Sequence, residues 1–375
     1  MSIELLGALV VAGLAGPILR MPRRWGVPLA VGELLIGAIL GKSGFNKIPI
    51  GDPTITLLAT IGFALLMFSA GSHIDYRSFT KRAFASVYKI LLANAVVSIA
   101  FGFAIDQLAH FPNWRLVAII SFSSSAAFVI PIVAYSKKDL ALEVLIAQVT
   151  IADAISFMAL PFFTQTDHRV QALTGSLVVL ASAVVLYLLL LAAKKFGYLD
   201  RTHVVSKEDR SGIELRVSLG LVLLVAALAI HFHASVMIAG FALGIVIASI
   251  GVPRRLARQL FAISDGFFAP LYFVWLGASI NVRSTFHSKE TIVLALLMVV
   301  AAFASHLPGL FFKSSLTDLL LASGQLGIPA AAVTLGIAHE TLTQAQSGAI
   351  MLAAIFTITV PAIFMKTPDV LSKAN

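Results

Sequence analysis

Apolar stretches, separated by short polar or basic clusters, run through most of the chain. A helix that crosses a bilayer needs about 20 mostly apolar residues, and this length recurs along the sequence. The pattern predicts an all-α polytopic membrane protein with thirteen transmembrane helices. The predicted spans are 3–20, 26–42, 53–71, 84–108, 114–135, 141–163, 171–195, 211–231, 234–250, 258–278, 290–313, 316–338 and 345–366.

The composition supports a membrane protein. Apolar residues make up 59% of the 375 residues, charged residues only 12%, and the mean hydropathy is +0.95. A soluble chain carries about 25% charged residues, so a soluble globular class is excluded. The net charge of +9 is spread over short loops, so we expect no nucleic-acid partner. With no cysteine there is neither a disulfide framework nor a thiolate metal site.

The distribution of Lys and Arg predicts an orientation. Loops after odd-numbered spans carry nineteen of these residues, loops after even-numbered spans carry six, and two lie inside spans. Cytoplasmic loops are the ones enriched in Lys and Arg. We therefore expect the N-terminus outside and the C-terminus in the cytoplasm of a cell membrane. Residues 3–20 are interpreted as a retained helix because no small-residue cleavage site follows a basic segment.

Thirteen spans divide into six, one and six. Residues 1–163 would form one repeat, 171–195 a linker helix and 211–366 a second, inverted repeat, with 367–375 a short cytoplasmic tail of this single transporter unit. The fifth span of each repeat contains residues that interrupt helices, and broken backbone inside a membrane is tolerated only where it is buried in protein or lines a wet cavity. Small residues for close helix packing are the alternative explanation. The interrupting residues include Ser124, Ser125, Pro131, Gly324, Gln325, Gly327 and Pro329.

Asp153 is the most central ionisable residue, about a dozen residues into the sixth span. An ionised carboxylate there costs several kcal/mol, so it must be neutral, paired, or in contact with water and a cation. Thr150 and Ser156 lie one turn to either side and offer neutral oxygens, and Ser124 and Ser125 are further candidate ligands. We expect Asp153 to bind a monovalent metal cation in exchange for a proton. The alternative is a structural aspartate hydrogen-bonded to a neighbouring helix.

Three further ionisable residues, Glu33, Asp265 and His306, lie about 10 Å from the predicted cytoplasmic ends of their spans. They are candidates for proton coupling or charge compensation. A buried structural pair is an equal alternative for Glu33 and Asp265, and a histidine satisfied within the protein core is the alternative for His306.

These features together resemble the monovalent cation/proton antiporter superfamily, in particular the branch that includes Na⁺/H⁺ exchangers and K⁺ efflux proteins. The resemblance covers essentially the whole chain, and Asp153 falls on the family's ion-binding aspartate. The order and spacing of the matching segments are more specific than any single motif. The matching segments are Gly32-Glu33 with Gly37 and Gly41, the serine-rich residues 122–127, the Phe-Phe-Ala-Pro segment at 267–270, and residues 276–280.

The departures from the family pattern bear on mechanism. Electrogenic members carry two adjacent aspartates, but Ala152 precedes Asp153 here. His306 stands where they carry a lysine, and Ser323-Gly324-Gln325 replaces a charged element. The resemblance implies a moving core of spans 4–6 and 11–13, a scaffold of spans 1–3 and 8–10, and a homodimer. The single carboxylate predicts electroneutral exchange of one cation for one proton.

We therefore expect a secondary transporter, not an enzyme, with no cofactor besides the transported Na⁺, K⁺ or Li⁺ and H⁺. Two alternatives stay open at this point. One is a Na⁺-coupled symporter of an organic anion on the same fold. The other is a channel-like or degenerate relative. Side-chain identity does not choose among the alkali cations, because backbone carbonyls supply part of their coordination. No nucleotide-binding segment follows Asn375, so gating by dinucleotide is not expected.

Overall fold

A computed structural model of the chain describes residues 3–20, 29–72, 80–133, 140–164, 169–196, 213–232, 234–251, 254–312 and 314–364. Within these residues every regular element is a helix. The first nine helices are α1 (Ile3–Gly13), α2 (Ala15–Arg20), α3 (Leu29–Leu40), α4 (Pro53–Ser72), α5 (Lys81–Ala109), α6 (Trp114–Phe122), α7 (Ala126–Val133), α8 (Leu140–Thr164) and α9 (Arg169–Lys195). The others are α10 (Ile213–His231), α11 (Val236–Ile250), α12 (Arg254–Ile263), α13 (Ala269–Ser279), α14 (Val282–Thr285), α15 (Lys289–Ala304), α16 (Leu316–Ala322), α17 (Gly327–Ala338) and α18 (Gln344–Phe364).

The apolar pattern predicts the positions of these helices well. Eight helical stretches of the described residues are long and apolar enough to cross a membrane, and four shorter apolar helices accompany them. Each predicted span coincides with helical residues, which confirms an all-helical membrane protein. The exact number of thirteen crossings and the inverted repeats stay predictions.

The two predicted helix breaks are present. α6 and α7 are separated by the non-helical residues 123–125, and α16 and α17 by the non-helical residues 323–326. Serine, glycine and proline account for both breaks, since they favour local hydrogen bonds or remove helical ones. Three further irregularities are not foreseen by the pattern. The first span is interrupted at Leu14, a π-helical segment (Ser264–Phe268) joins α12 to α13, and a 3₁₀ helix (Leu307–Phe312) follows α15.

The chain divides into two compact units. The first contains Met1–Ile50, Ser78–Thr166 and Phe273–Asn375, and the second contains Gly51–Arg77 and Asp167–Tyr272. The boundary falls inside α13, between Tyr272 and Phe273.

In the first unit, α3 packs closely on the second half of α13. A Cβ on Gly37 would lie 2.2 Å from the carbonyl oxygen of Val274, and a Cβ on Gly277 would lie 2.2 Å from that of Leu34. Only glycine permits such approach of two backbones. Ser43 extends the contact beyond α3, because its hydroxyl donates to the carbonyl of Ile280 at 2.7 Å and accepts from the amide of Val282 at 2.7 Å.

A second part of the first unit consists of α5, α6, α8 and α15, in which α5 and α6 pack against each other and against both α8 and α15. A buried apolar cluster joins α5, α6 and α8 and includes Val87, Leu91, Phe122, Ala147 and Ala152. Ala152 precedes Asp153 directly, so this packing determines which side of α8 carries the carboxylate.

The second unit is organised around α4 and α11. Backbone atoms of these helices approach closely at Gly71, Gly240 and Gly244, where an added Cβ would lie 2.2 to 2.3 Å from a carbonyl oxygen. An apolar cluster beside the crossing includes Leu65, Phe68, Val222, Leu243 and Leu260. At the end of α11, the Lys194 ammonium donates to the carbonyl of Ile250.

Candidate functional site

Asp153 lies near the middle of α8 and is 8% exposed. Its Oδ2 accepts a hydrogen bond of 3.2 Å from the backbone amide of Ala126, the first residue of α7. That amide is free to donate because the preceding residues are non-helical, and a helix N-terminus favours negative charge. The second oxygen, Oδ1, is buried without a hydrogen-bond partner among the described residues. One carboxylate oxygen therefore remains available.

Four residues are predicted from the sequence to supply neutral oxygens to a cation at Asp153. Thr150 and Ser156 are both buried on α8, one turn to either side of Asp153. The Ser156 hydroxyl has no hydrogen-bond partner within the described part of the chain. Ser124 and Ser125 are buried in the break between α6 and α7. The oxygen ligands proposed from the sequence thus belong to α8 and the neighbouring break.

The two broken helices contact each other. The side-chain nitrogen Nε2 of Gln325 lies 3.4 Å from the backbone carbonyl oxygen of Ser121, at the end of α6. A Cβ on Gly324 would lie 2.6 Å from the Phe128 ring of α7, so the absence of a side chain at Gly324 makes room for that ring. Thr357 on α18 supports the second break, because its hydroxyl lies 3.4 Å from the backbone amide nitrogen of Gln325. The predicted interrupting residues of both breaks are thereby brought together.

Two of the remaining interrupting residues lie at the start of the second half of their broken helix. Gly327 and Pro329 occupy the first turn of α17, where proline is tolerated because no intrahelical donor is lost. A Cβ on Gly327 would lie 3.0 Å from the Phe157 ring of α8. Pro131 lies within α7. The second break therefore packs on the helix that carries Asp153.

His306 is fully buried just after α15. Its Nδ1 lies 2.8 Å from the carbonyl oxygen of Ala302, and its Nε2 lies 3.2 Å from the Ser124 hydroxyl. The residue assigned from the family's lysine position thus contacts the break between α6 and α7.

Glu33 and Asp265 lie in different surroundings from each other. Glu33 is buried on α3 with its carboxylate beside Gly16 of α2, where a Cβ would lie 2.9 Å from Oε1. Asp265 is exposed in the π-helical segment of the second unit. The structure does not test a role in proton coupling for either residue.

Two buried polar residues that contact these elements, Asn94 and Thr357, were not singled out from the sequence. When its amide is oriented to match its neighbours, Asn94 of α5 donates to the carbonyls of Ser305 at 3.0 Å and Ile90 at 3.1 Å. Asn94 is only 1% exposed. A buried amide inside a long apolar helix is the signal that could have identified it, because such groups need partners in a membrane.

The donor set fits a singly charged cation better than a transition metal. Within the described residues no group of three or more His, Cys, Asp or Glu side chains converges. Alkali cations take hard, mostly neutral oxygen ligands, whereas zinc and copper need imidazole or thiolate. The Asp153 carboxylate, the nearby hydroxyl-bearing residues and the backbone of the helix break are the oxygen ligands that an alkali cation prefers.

Sequence comparison finds a family and curated relatives for this chain. The family described as "Sodium/hydrogen exchanger, transmembrane" matches residues 8–367. The putative Na⁺/H⁺ antiporter YjbQ of Bacillus subtilis (strain 168) is 25% identical over 97% of this chain, which spans 63% of that protein. The probable Na⁺/H⁺ antiporter 3 of Methanocaldococcus jannaschii is 24% identical over 74% of this chain and 73% of its own length.

The fold has a counterpart among solved structures. The sodium proton antiporter MjNhaP1 from Methanocaldococcus jannaschii, at pH 8, superimposes with a TM-score of 0.60 at 16% identity, covering 96% of this chain and 95% of that one. The match of nearly the whole chain to the family decides its membership. The chain belongs to the sodium/hydrogen exchanger family, within the monovalent cation/proton antiporter superfamily that its motifs resemble.

Proposed function

We propose that the protein exchanges a monovalent cation for a proton across the cell membrane by alternating access. Family membership and the names of the relatives support this class of transport. The observation that carries the proposal is Asp153, a carboxylate buried in mid-helix with Oδ2 on the amide of Ala126 and Oδ1 without a partner among the described residues.

Asp153 would bind either a proton or one alkali cation, Na⁺ or K⁺. Both loaded forms are neutral, so each can cross the membrane interior at little electrostatic cost. A bare carboxylate would pay a desolvation cost of several kcal/mol and would not cross. Competition for one negative charge therefore couples the two fluxes in opposite directions.

Exchange through one carboxylate moves one cation for one proton and is electroneutral. Ala152 supports this stoichiometry, because the acidic neighbour that electrogenic relatives carry is replaced by an apolar side chain that is 1% exposed. Thr150, Ser156, Ser124 and Ser125 would supply neutral oxygens. Glu33 and Asp265 remain candidates for charge compensation along the access route.

The architecture proposed for this cycle is the one implied by the family resemblance. Thirteen crossings would form two inverted six-helix repeats, with the N-terminus outside and the C-terminus in the cytoplasm. A core of spans 4–6 and 11–13 would move against a scaffold of spans 1–3 and 8–10 in a homodimer. The broken helices α6/α7 and α16/α17 support this arrangement, because irregular backbone at membrane depth requires protein or a wet cavity around it.

Transport in proteoliposomes tests the site. Purified protein is reconstituted with an internal pH indicator, and Na⁺, K⁺ or Li⁺ is added outside. We expect cation-driven proton movement that is lost in Asp153→Asn, which keeps the shape but not the charge. Asp106→Asn is the matched control, because it removes a half-exposed carboxylate from α5 and should leave exchange intact. Exchange that persists in Asp153→Asn would remove Asp153 from the central role.

The pH dependence tests competition separately. Because a proton and a cation share one site, the apparent KM for the cation should rise as the pH falls, approaching about tenfold per pH unit where the proton-bound form dominates. The maximal rate at saturating cation should change much less. A KM that is independent of pH would contradict a shared site.

The stoichiometry is tested with a membrane potential set by a valinomycin-mediated K⁺ gradient, with Na⁺ as the exchanged cation. A one-for-one exchange carries no net charge, so the potential should not drive it. Potential-driven flux would require a second charge carrier. Cation uptake that needs an organic anion would indicate symport, and flux without proton movement would indicate a channel.

A further inference from the structure

His306 and Ser124 form a buried contact between two elements of the first unit. His306 lies two residues beyond the end of α15, and Ser124 is the middle residue of the break between α6 and α7. Both are buried, with 0% and 2% of their surfaces exposed. The Ser124 hydroxyl lies 3.2 Å from Nε2, and the two residues are 182 positions apart in the chain.

The other ring nitrogen identifies the tautomer. Nδ1 lies 2.8 Å from the carbonyl oxygen of Ala302, and a carbonyl can only accept a hydrogen bond. Nδ1 therefore carries a proton. In the neutral ring Nε2 is then an acceptor, and the Ser124 hydroxyl must donate to it.

The direction of this hydrogen bond has a consequence for Ser124. A hydroxyl has one hydrogen and two lone pairs. If the hydrogen points to Nε2, both lone pairs point elsewhere and can contact a cation. If a cationic side chain donated to Ser124 instead, one lone pair would be occupied and a positive charge would stand beside the site.

The turn that holds His306 is itself fixed by α5. Asn94, oriented as its neighbours require, donates to the carbonyl of Ser305 at 3.0 Å. On the other side of Ser124, the amide of Ala126 contacts Asp153 at 3.2 Å. A continuous set of contacts thus joins α5, the His306 turn, the break and the carboxylate.

The geometry points to His306 as a positioning residue that orients the Ser124 hydroxyl as a cation ligand, rather than as a second proton carrier. This inference rests on the proposed function and specifies how its site is built. His306 acts through Ser124, so its loss weakens cation binding without changing the number of charges moved.

A double-mutant cycle tests the inference in the exchange assay. Ser124→Ala and His306→Leu should each raise the apparent KM for the cation about 2- to 10-fold, the range expected for one neutral hydrogen bond. The double variant should be no worse than the more affected single variant, because both changes remove the same contact. Multiplication of the two effects in the double variant would overturn the inference.

Conservative variants keep the test decisive if His306→Leu does not fold. Ser124→Thr retains the hydroxyl and should raise the apparent KM for the cation less than Ser124→Ala does. His306→Gln offers both a donor and an acceptor, and the cycle with Ser124→Ala can be run on that background. His287→Leu is the matched control: its Nδ1 also bonds a carbonyl four residues earlier, that of Arg283 at 2.7 Å, but the ring is exposed and should be dispensable.

A membrane potential distinguishes a positioning residue from a second proton carrier, and the double-mutant cycle with Ser124 distinguishes it from a purely structural residue. If His306 carries a proton in the cycle, wild-type exchange should respond to the potential and His306→Gln should abolish that response. We expect no response in either protein. A wild-type protein without any cation-driven proton movement would refute the proposed function itself, whereas exchange with independent effects at Ser124 and His306 would refute only this inference.

Discussion

Gly37 provides a sharp test of how α3 packs on α13. An alanine Cβ at this position would lie 2.2 Å from the carbonyl oxygen of Val274 and 2.9 Å from the carbonyl carbon and Cα of the same residue. Carbon atoms pack best at about 3.5–4.0 Å, so the helices would have to separate by roughly 1 Å. The obstacle is backbone within a helix, and it cannot rotate away as a side-chain end could.

The expected magnitude follows from the geometry. Inserting a methyl group into a well-packed contact costs about 1–3 kcal/mol, and a rigid backbone obstacle places Gly37→Ala near the upper end. Alanine gains about 1 kcal/mol of helix propensity over glycine. The net destabilisation should therefore be about 2 kcal/mol. Gly220→Ala in α10 is the control, since an added Cβ there meets no atom within 4 Å.

The free energy of unfolding can be measured by titration of the purified protein with a denaturing detergent, followed by circular dichroism. Gly37→Ala should lower it by about 2 kcal/mol, and Gly220→Ala should stay within about 1 kcal/mol of wild type. Val274→Ala should not rescue Gly37→Ala, because the contact is made by the backbone. A Gly37→Ala protein as stable as Gly220→Ala, or rescue by Val274→Ala, would refute the close approach of α3 and α13.

Three further predictions use the same unfolding measurement. Gly324→Ala should destabilise the protein by about 1–3 kcal/mol. Phe128→Leu should recover part of this loss, because the obstacle is a side-chain ring. Additive losses in the double variant would contradict the contact between the two broken helices. Ser43→Ala should cost about 1–3 kcal/mol, since a part-buried amide and a carbonyl lose their shared partner, and Ser43→Thr is the comparison that keeps the hydroxyl. Ser315→Ala should cost about 1 kcal/mol by removing the capping box of α16, whereas an unchanged stability would show that water replaces the cap.

The long helices could be predicted because the bilayer imposes a length. α4, α8 and α9 each begin and end within a few residues of a span predicted from the apolar pattern. The breaks at residues 123–125 and 323–326 could also be predicted, since serine, glycine and proline alter local backbone hydrogen bonding. These are local properties, and the sequence displays them directly.

Other features depend on which helix lies beside which. The π-helical segment Ser264–Phe268 has no distinctive pattern of residues, because one extra residue per turn is a response to packing. Asn94 is an isolated amide in an apolar helix until the carbonyl of Ser305 is placed beside it. Asp265 and Glu33 are equivalent candidates in the sequence, yet Asp265 is exposed and Glu33 is buried beside Gly16.

The sequence by itself determined a helical membrane protein, two broken helices and one central carboxylate, since hydrophobic length, helix-breaking residues and the cost of a buried charge are properties of the residues themselves. Only the tertiary structure decided that Asp153 meets the amide of Ala126 and that His306 meets Ser124. Hydrogen bonds form only near 3 Å. The packing of α8 and α15 on the broken helix brings to that distance one pair of residues separated by 27 positions in the chain and another pair separated by 182 positions.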